Sequence, residues 1–223
     1  MTPALLGTER TGPDLSNVAA RQPSDTWNYI HLYNPRAVVK ASVMQAYPWF
    51  FVIKDTPGTG ELVVPVPSEF VPRGGKVVAT QAAMDLVAYL LSLKQTPIPG
   101  STTPEGAGTK PKSEAQGATV YAAHCASCHG PDGEGVSGVF PPMKGDPVVT
   151  AADPSRHIRI ILFGLARATI NGVSYAAKMP AHNDELSDGE IAAVVNHERT
   201  SWGNSAPTVT PGDVANVRKQ TEP

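Results

Sequence analysis

Both cysteines of the chain fall in one five-residue stretch, Cys125-Ala-Ser-Cys128-His129. On a helical turn, positions i and i+3 share a face. The two thiols are then aimed together, where they can add to the two vinyl groups of one haem. His129, on the same face, can offer its imidazole to the iron. This is the spacing of c-type haem attachment. A zinc half-site, a redox dithiol and a chance occurrence compete with it. Structural zinc wants two further Cys or His ligands at short spacing, and there is no second cysteine pair. A redox dithiol normally sits near a βαβ pattern, and none is visible. The motif therefore predicts one covalent haem c, bound through Cys125, Cys128 and His129.

Such an iron needs a sixth ligand or an open position. Met179, in Lys178-Met179-Pro180, is the best candidate. A thioether is a soft, neutral ligand that favours ferrous iron and raises the potential. A methionine is more often core filling, but Pro180 places this one on a loop ahead of the last expected cap. Its rivals in the second half are Met143, His124, His157, His182 and His197. His124 would have to fold under the same face as Cys125. His197 falls inside a helix and reads as a partly buried structural histidine. Met143, after Pro141-Pro142, reads as pocket wall.

The elements that must position these groups are mostly helical. Gly117, Val120, Tyr121, His124, Cys125 and Cys128 form one helix stripe. Ser187-Asp-Gly-Glu190 is a capping box, opening a helix with Ile191, Val194, Val195 and Trp202 on one side. In the first half, Ser24–Leu32 predicts a short helix stopped at Asn34-Pro35. Residues Gln81–Lys94 predict a longer one capped by Thr80. Residues 47–71 predict a short hairpin or only loop.

The chain has 223 residues, with 20 glycines and 22 prolines. That length holds one large domain or two ordinary ones. The composition shifts at Gln95–Ser113, QTPIPGSTTPEGAGTKPKS, which lacks aromatic residues and is dominated by Pro, Gly, Thr and Ser. It predicts a Pro/Gly-rich linker over residues 97–113, between units 1–96 and 114–223. Residues 1–112 carry 10 basic and 8 acidic groups, and residues 113–223 carry 8 and 12, an asymmetry that fits ordinary solvated surface. The net charge of -2 excludes a basic nucleic-acid binder on bulk charge. No apolar run approaches the roughly 18 residues of a membrane span. The start, Met1-Thr-Pro-Ala-Leu-Leu-Gly7, has no charged n-region. Covalent haem attachment takes place outside the cytoplasm, so a periplasmic location is expected, with an export signal or membrane anchor upstream of Met1.

From about Gly117 to Gly203 the chain resembles a class I cytochrome c. The matching pieces are the helix ending in Cys125–His129, the turn Gly130-Pro-Asp-Gly-Glu-Gly135, the segment Val139-Phe-Pro-Pro-Met-Lys-Gly145, the loop at Met179-Pro180 and the helix after Leu186-Ser-Asp-Gly-Glu190. The resemblance implies that a proline carbonyl accepts a hydrogen bond from the axial histidine. Pro142 or Pro141 would supply it, Pro142 being favoured. It implies a mainly α fold whose first and last helices cross at small residues, here Gly117 and Ala192/Ala193. His197-Glu198 departs from the family's usual aromatic or apolar pair, which predicts looser local packing. The first half is similar to the membrane-anchored monohaem cytochrome subunit of C-type haem–copper oxidases. The shared pieces are Arg10-Thr-Gly-Pro-Asp-Leu15, Asp25-Thr-Trp27, Tyr33-Asn-Pro-Arg36, Ser42-Val-Met44, Tyr47-Pro-Trp49 and the helix Met84–Leu93. In that family Met44 would be an axial ligand, but Gln45 follows it instead of proline and no CxxCH lies in residues 1–96. The expectation is two cytochrome c-like lobes with one haem, in the second.

These readings imply an electron carrier with no catalysis of its own, serving a membrane-bound respiratory oxidase as subunit or fused donor. The segments Pro147–Pro154 and Arg199–Gly203 look instead like the cytochrome subunit of a periplasmic dehydrogenase. A haem peroxidase or gas sensor would need a vacant sixth site, against which Met179 in its proline-bounded loop argues. The first lobe could also serve as a docking module.

Overall fold

A computed structural model describes residues 15–94, 113–166 and 168–220. The chain divides into two compact units, Met1–Ala107 and Gly108–Pro223. Residues 97–112 of the expected linker lie outside the described residues. Ser113, its last expected residue, already belongs to a helix.

In the first unit the elements run α1 (Val18–Arg21), α2 (Asp25–Tyr33), β1 (Phe51–Lys54), β2 (Val63–Val64), β3 (Lys76–Ala79) and α3 (Gln81–Ser92). The Ser24 hydroxyl accepts from the Trp27 N–H and starts α2. Pro35 bars its extension, and Asn34 takes the extended backbone that a residue before proline prefers. Thr80 caps α3 and donates its hydroxyl to the Phe50 carbonyl at 2.7 Å, tying helix to strand. The sheet is antiparallel with order β1-β3-β2. The expected hairpin within residues 47–71 is therefore corrected. β1 and β2 do not pair with each other, because each bonds to a strand that begins five residues past Val71. Ile30, Val77, Ala83 and Val87 are buried, and the Tyr33 ring meets Phe51 edge-on at 5.4 Å. Met44 is half-buried.

The second unit holds α4 (Ser113–His124), α5 (Ala126–His129), α6 (Ser155–Phe163), β4 (Ala168–Ile170), β5 (Val173–Tyr175), α7 (Asp188–Thr200) and α8 (Pro211–Arg218). Helices predominate here, while a short β4–β5 ladder, α6 and α8 went unread in the sequence. Ser187 and Glu190 form the expected reciprocal cap on α7. This helix is buried nearly all round: Ile191, Ala192, Ala193, Val194 and Val195 are each at most 5% exposed. It crosses α4 where Gly117 lies against the Ala193 carbonyl, leaving no room for a Cβ. Small residues at that point let the two backbones touch.

Arg199, fully buried near the end of α7, is held by backbone carbonyls. Its guanidinium donates to the carbonyls of Pro207 (2.7 Å), Val149 (2.8 Å) and Ala151 (2.7 Å). Three segments are thus stapled by one rigid fork, which a lysine ammonium cannot reproduce. The variant Arg199→Lys leaves at least one of these carbonyls without a donor, and should lower unfolding stability by about 1–3 kcal/mol. A urea midpoint equal to that of the unmodified protein would show that the staple carries no stability.

Candidate haem site

The expected single helix through Cys128 breaks at Cys125, and α5 begins afresh at Ala126. The backbone still turns helically: the N–H groups of Cys128 and His129 both donate to the Cys125 carbonyl, at 3.1 and 2.9 Å. Both thiols are unbridged. Burial pushes the Cys128 thiol up to about 11 and raises Cys125 well above its ordinary value.

His129 is buried, and its Nδ1 lies 2.8 Å from the Pro141 carbonyl oxygen. An Nδ1–H donated there fixes the tautomer and leaves Nε2 with its lone pair for a metal. Pro142 is the residue favoured for this role on sequence grounds. The structure gives this bond to Pro141 because the preceding turn brings that carbonyl over the ring. The Gly135 N–H donates to the His129 carbonyl at 2.8 Å, closing the turn. Gly135 has φ +65°, and a Cβ there would press on the Pro141 carbonyl oxygen at 2.7 Å. Any side chain would displace the acceptor that aims His129.

Met179 sits on a loop, as Pro180 predicts. It exchanges backbone hydrogen bonds with Leu165, at 3.1 and 2.9 Å. Its side chain is partly buried against the same apolar cluster that contains Cys125, Ile161 and Leu162. Gly164, at φ +77°, lets the chain pass tightly under this loop, where a Cβ would lie 2.5 Å from the Met179 carbonyl oxygen. Met143 packs on the same cluster, as the expected wall residue. The other rivals have partners of their own. His157 bonds Glu198 at 2.7 Å, His182 faces Glu185 at 3.3 Å, and His197 rests against Tyr121 and Trp202.

His197-Glu198 does not loosen the packing. Glu198, 2% exposed, pairs with His157 and also reaches the Cys125 thiol. Sequence reasoning missed this buried carboxylate, since its partner is distant in sequence and nothing in the spacing links them. Asn204 was missed too. It donates to the carbonyls of Met143 (3.0 Å) and Glu198 (2.7 Å) and accepts from the Gly145 N–H (2.8 Å), binding the Pro141–Gly145 segment to the end of α7.

The donor set suits one haem. It comprises two thiols a turn apart, an imidazole held at the far nitrogen, an apolar cluster and a thioether on a closed loop. A peptide with two neutral donors and buried apolar walls can tune an iron.

Two family profiles match the chain. The family described as "Cytochrome C oxidase, cbb3-type, subunit III" matches residues 112–197, and "Cytochrome C oxidase, mono-heme subunit/FixO" matches residues 2–59. Less than half of the chain's length is also similar to curated proteins. The cytochrome c subunit of a quinone alcohol dehydrogenase from Gluconobacter oxydans (strain 621H) is 43% identical over 108 residues, 48% of this chain and 23% of that one. The gluconate 2-dehydrogenase cytochrome c subunit of Pantoea cypripedii is 42% identical over 105 residues, 46% of this chain and 24% of that one. A cytochrome c-552 of Thermus thermophilus is 38% identical over 96 residues, 41% of this chain and 72% of its own length. The chain thus spans about a quarter of the dehydrogenase subunits it matches.

Proposed function

We propose that this chain, which belongs to the cytochrome c family and carries haem c, works as a one-electron relay through a haem closed on both faces by His129 and Met179. As an electron-transfer cytochrome it leaves catalysis to a partner. Cys125 and Cys128 tether the haem, which supplies the redox chemistry when bound. His129 ligates through Nε2, and the Pro141 carbonyl keeps that nitrogen basic. Met179 would supply its thioether as the second protein ligand to the iron. Cys125, Ile161 and Leu162 exclude water, which limits reorganisation when the charge on the metal changes. The observation that carries this reading is the 2.8 Å contact from His129 Nδ1 to the Pro141 carbonyl, next to both thiols and with Met179 on the same apolar cluster.

The domain reading follows. One haem lies in the second unit, and the first, which lacks cysteine, serves as a docking lobe. The partners are redox enzymes. The first lobe's likeness to an oxidase monohaem subunit supports a membrane-bound respiratory oxidase as acceptor, with the protein acting in the periplasm, tethered to the membrane. A second reading, a dehydrogenase cytochrome subunit, is supported by the dehydrogenase subunits among the relatives. No helix among the described residues is long and apolar enough to cross a membrane.

A haemochrome assay should find one covalent haem per chain, and proteolysis should leave all of it on residues 113–223. The reduced protein should not bind carbon monoxide rapidly at neutral pH. Two haems would overturn the domain reading, and fast stoichiometric carbon monoxide binding would overturn the closed iron. Oxidation by a cbb3-type oxidase, compared with reduction by a quinone-dependent dehydrogenase, separates the two partner readings.

A further inference from the structure

We propose a second metal site in this unit, for a divalent transition cation such as zinc, formed by His124, His182 and Glu185. One ligand atom from each lies within 4.8 Å of the others. Two imidazoles and one carboxylate are a donor set that suits zinc, with a fourth position left for water. The three residues come from two places in the fold. His124 is the last residue of α4, and His182 and Glu185 occupy one turn that leads into α7.

The site is prepared by its surroundings. The His182 side chain is only 4% exposed, so few rotamers remain to be lost on binding. Its backbone N–H is anchored to the Ile161 carbonyl at 3.1 Å, and the N–H groups of Glu185 and Leu186 both donate to the His182 carbonyl. Nδ1 already faces a Glu185 carboxylate oxygen at 3.3 Å, and the two rings meet edge to face at 5.9 Å between centroids. Burial lowers the proton affinity of His182, opposed by Glu185, which favours the neutral imidazole that binds metals. Glu190 lies near His124, adding negative potential on that side. The Glu185 side chain is one-third exposed, which gives an ion a path from solvent.

A cation here joins the helix that leads into Cys125 to the turn that follows Met179-Pro180. It would brace the loop carrying the proposed sixth ligand. The site itself does not depend on the haem reading.

The test is zinc titration of the haem-loaded full chain, followed by calorimetry and by thermal unfolding. In that form the cysteine sulfurs are thioethers and cannot compete. One equivalent of zinc should bind, and Tm should rise with zinc concentration as expected for a ligand of the folded state. The half-exposed residues serve as variants: His124→Gln and Glu185→Gln should each weaken binding by at least about tenfold while leaving the haem spectrum unchanged. Loss in both variants supports the site. Absence of saturable zinc binding, or binding that both variants retain, overturns it.

Discussion

Replacing Met179 by alanine should lower the reduction potential by on the order of 100–200 mV, within the ~0.8 V span that axial ligands command, and should open the reduced iron to carbon monoxide. The thioether is soft and neutral, so it stabilises ferrous over ferric iron. Water in its place reverses that preference. Local structure should survive, because Met179 is held through its backbone, by the Leu165 hydrogen bonds, and not chiefly by its side chain. The matching control is Met143→Ala. Met143 packs on the same cluster but lies on the segment that holds His129, so its loss leaves the sixth ligand in place. Potentiometry with carbon monoxide difference spectra checks both. An unchanged potential in Met179→Ala, or an equal drop in Met143→Ala, would remove Met179 from the iron.

Gly117→Ala should destabilise the second unit by about 2–3 kcal/mol, although helix propensity alone argues the other way. In a free helix, alanine is favoured over glycine by about 1 kcal/mol. Here the new methyl would overlap the backbone carbonyl of Ala193 and approach the His197 Cβ at 2.9 Å. A backbone carbonyl cannot rotate aside as a flexible side chain can, so α4 and α7 must separate. Overpacking of this kind costs about 1–3 kcal/mol, and separation also opens the cluster under Val120, Tyr121 and Val194. Urea unfolding of the haem-loaded protein gives the answer. A more stable variant would mean that the two helices do not cross at Gly117.

The same contrast separates what could be read along the chain from what could not. Cys125, Cys128 and His129 are legible because their chemistry depends on spacing within one turn, and local geometry follows from local sequence. The caps at Ser24, Thr80 and Ser187 are legible for that reason too. Pro180 excluded a helix at Met179, and the loop is there. The sheet was misread because its central strand, Lys76–Ala79, lies outside the stretch that seemed to contain a hairpin. Pairing is decided by a partner's position in space, which a short Val-rich run does not reveal.

The tertiary structure alone decided the rest. Whether Pro141 or Pro142 faces His129 turns on which carbonyl the Gly130–Gly135 turn presents, a difference of one residue that composition cannot resolve. His197-Glu198 looked like a weak spot, yet Glu198 is a buried partner of His157 across 41 residues of sequence. A buried carboxylate is tolerated only when paired, and the pair exists only once α6 packs on α7. His124, His182 and Glu185 were merely rival ligands along the chain until folding placed them together. The sequence by itself determined which groups can bond a haem, since reactivity belongs to residue type and short spacing. Which of them face one another, and what holds them there, was settled by packing, because those distances are long in sequence and short only in space.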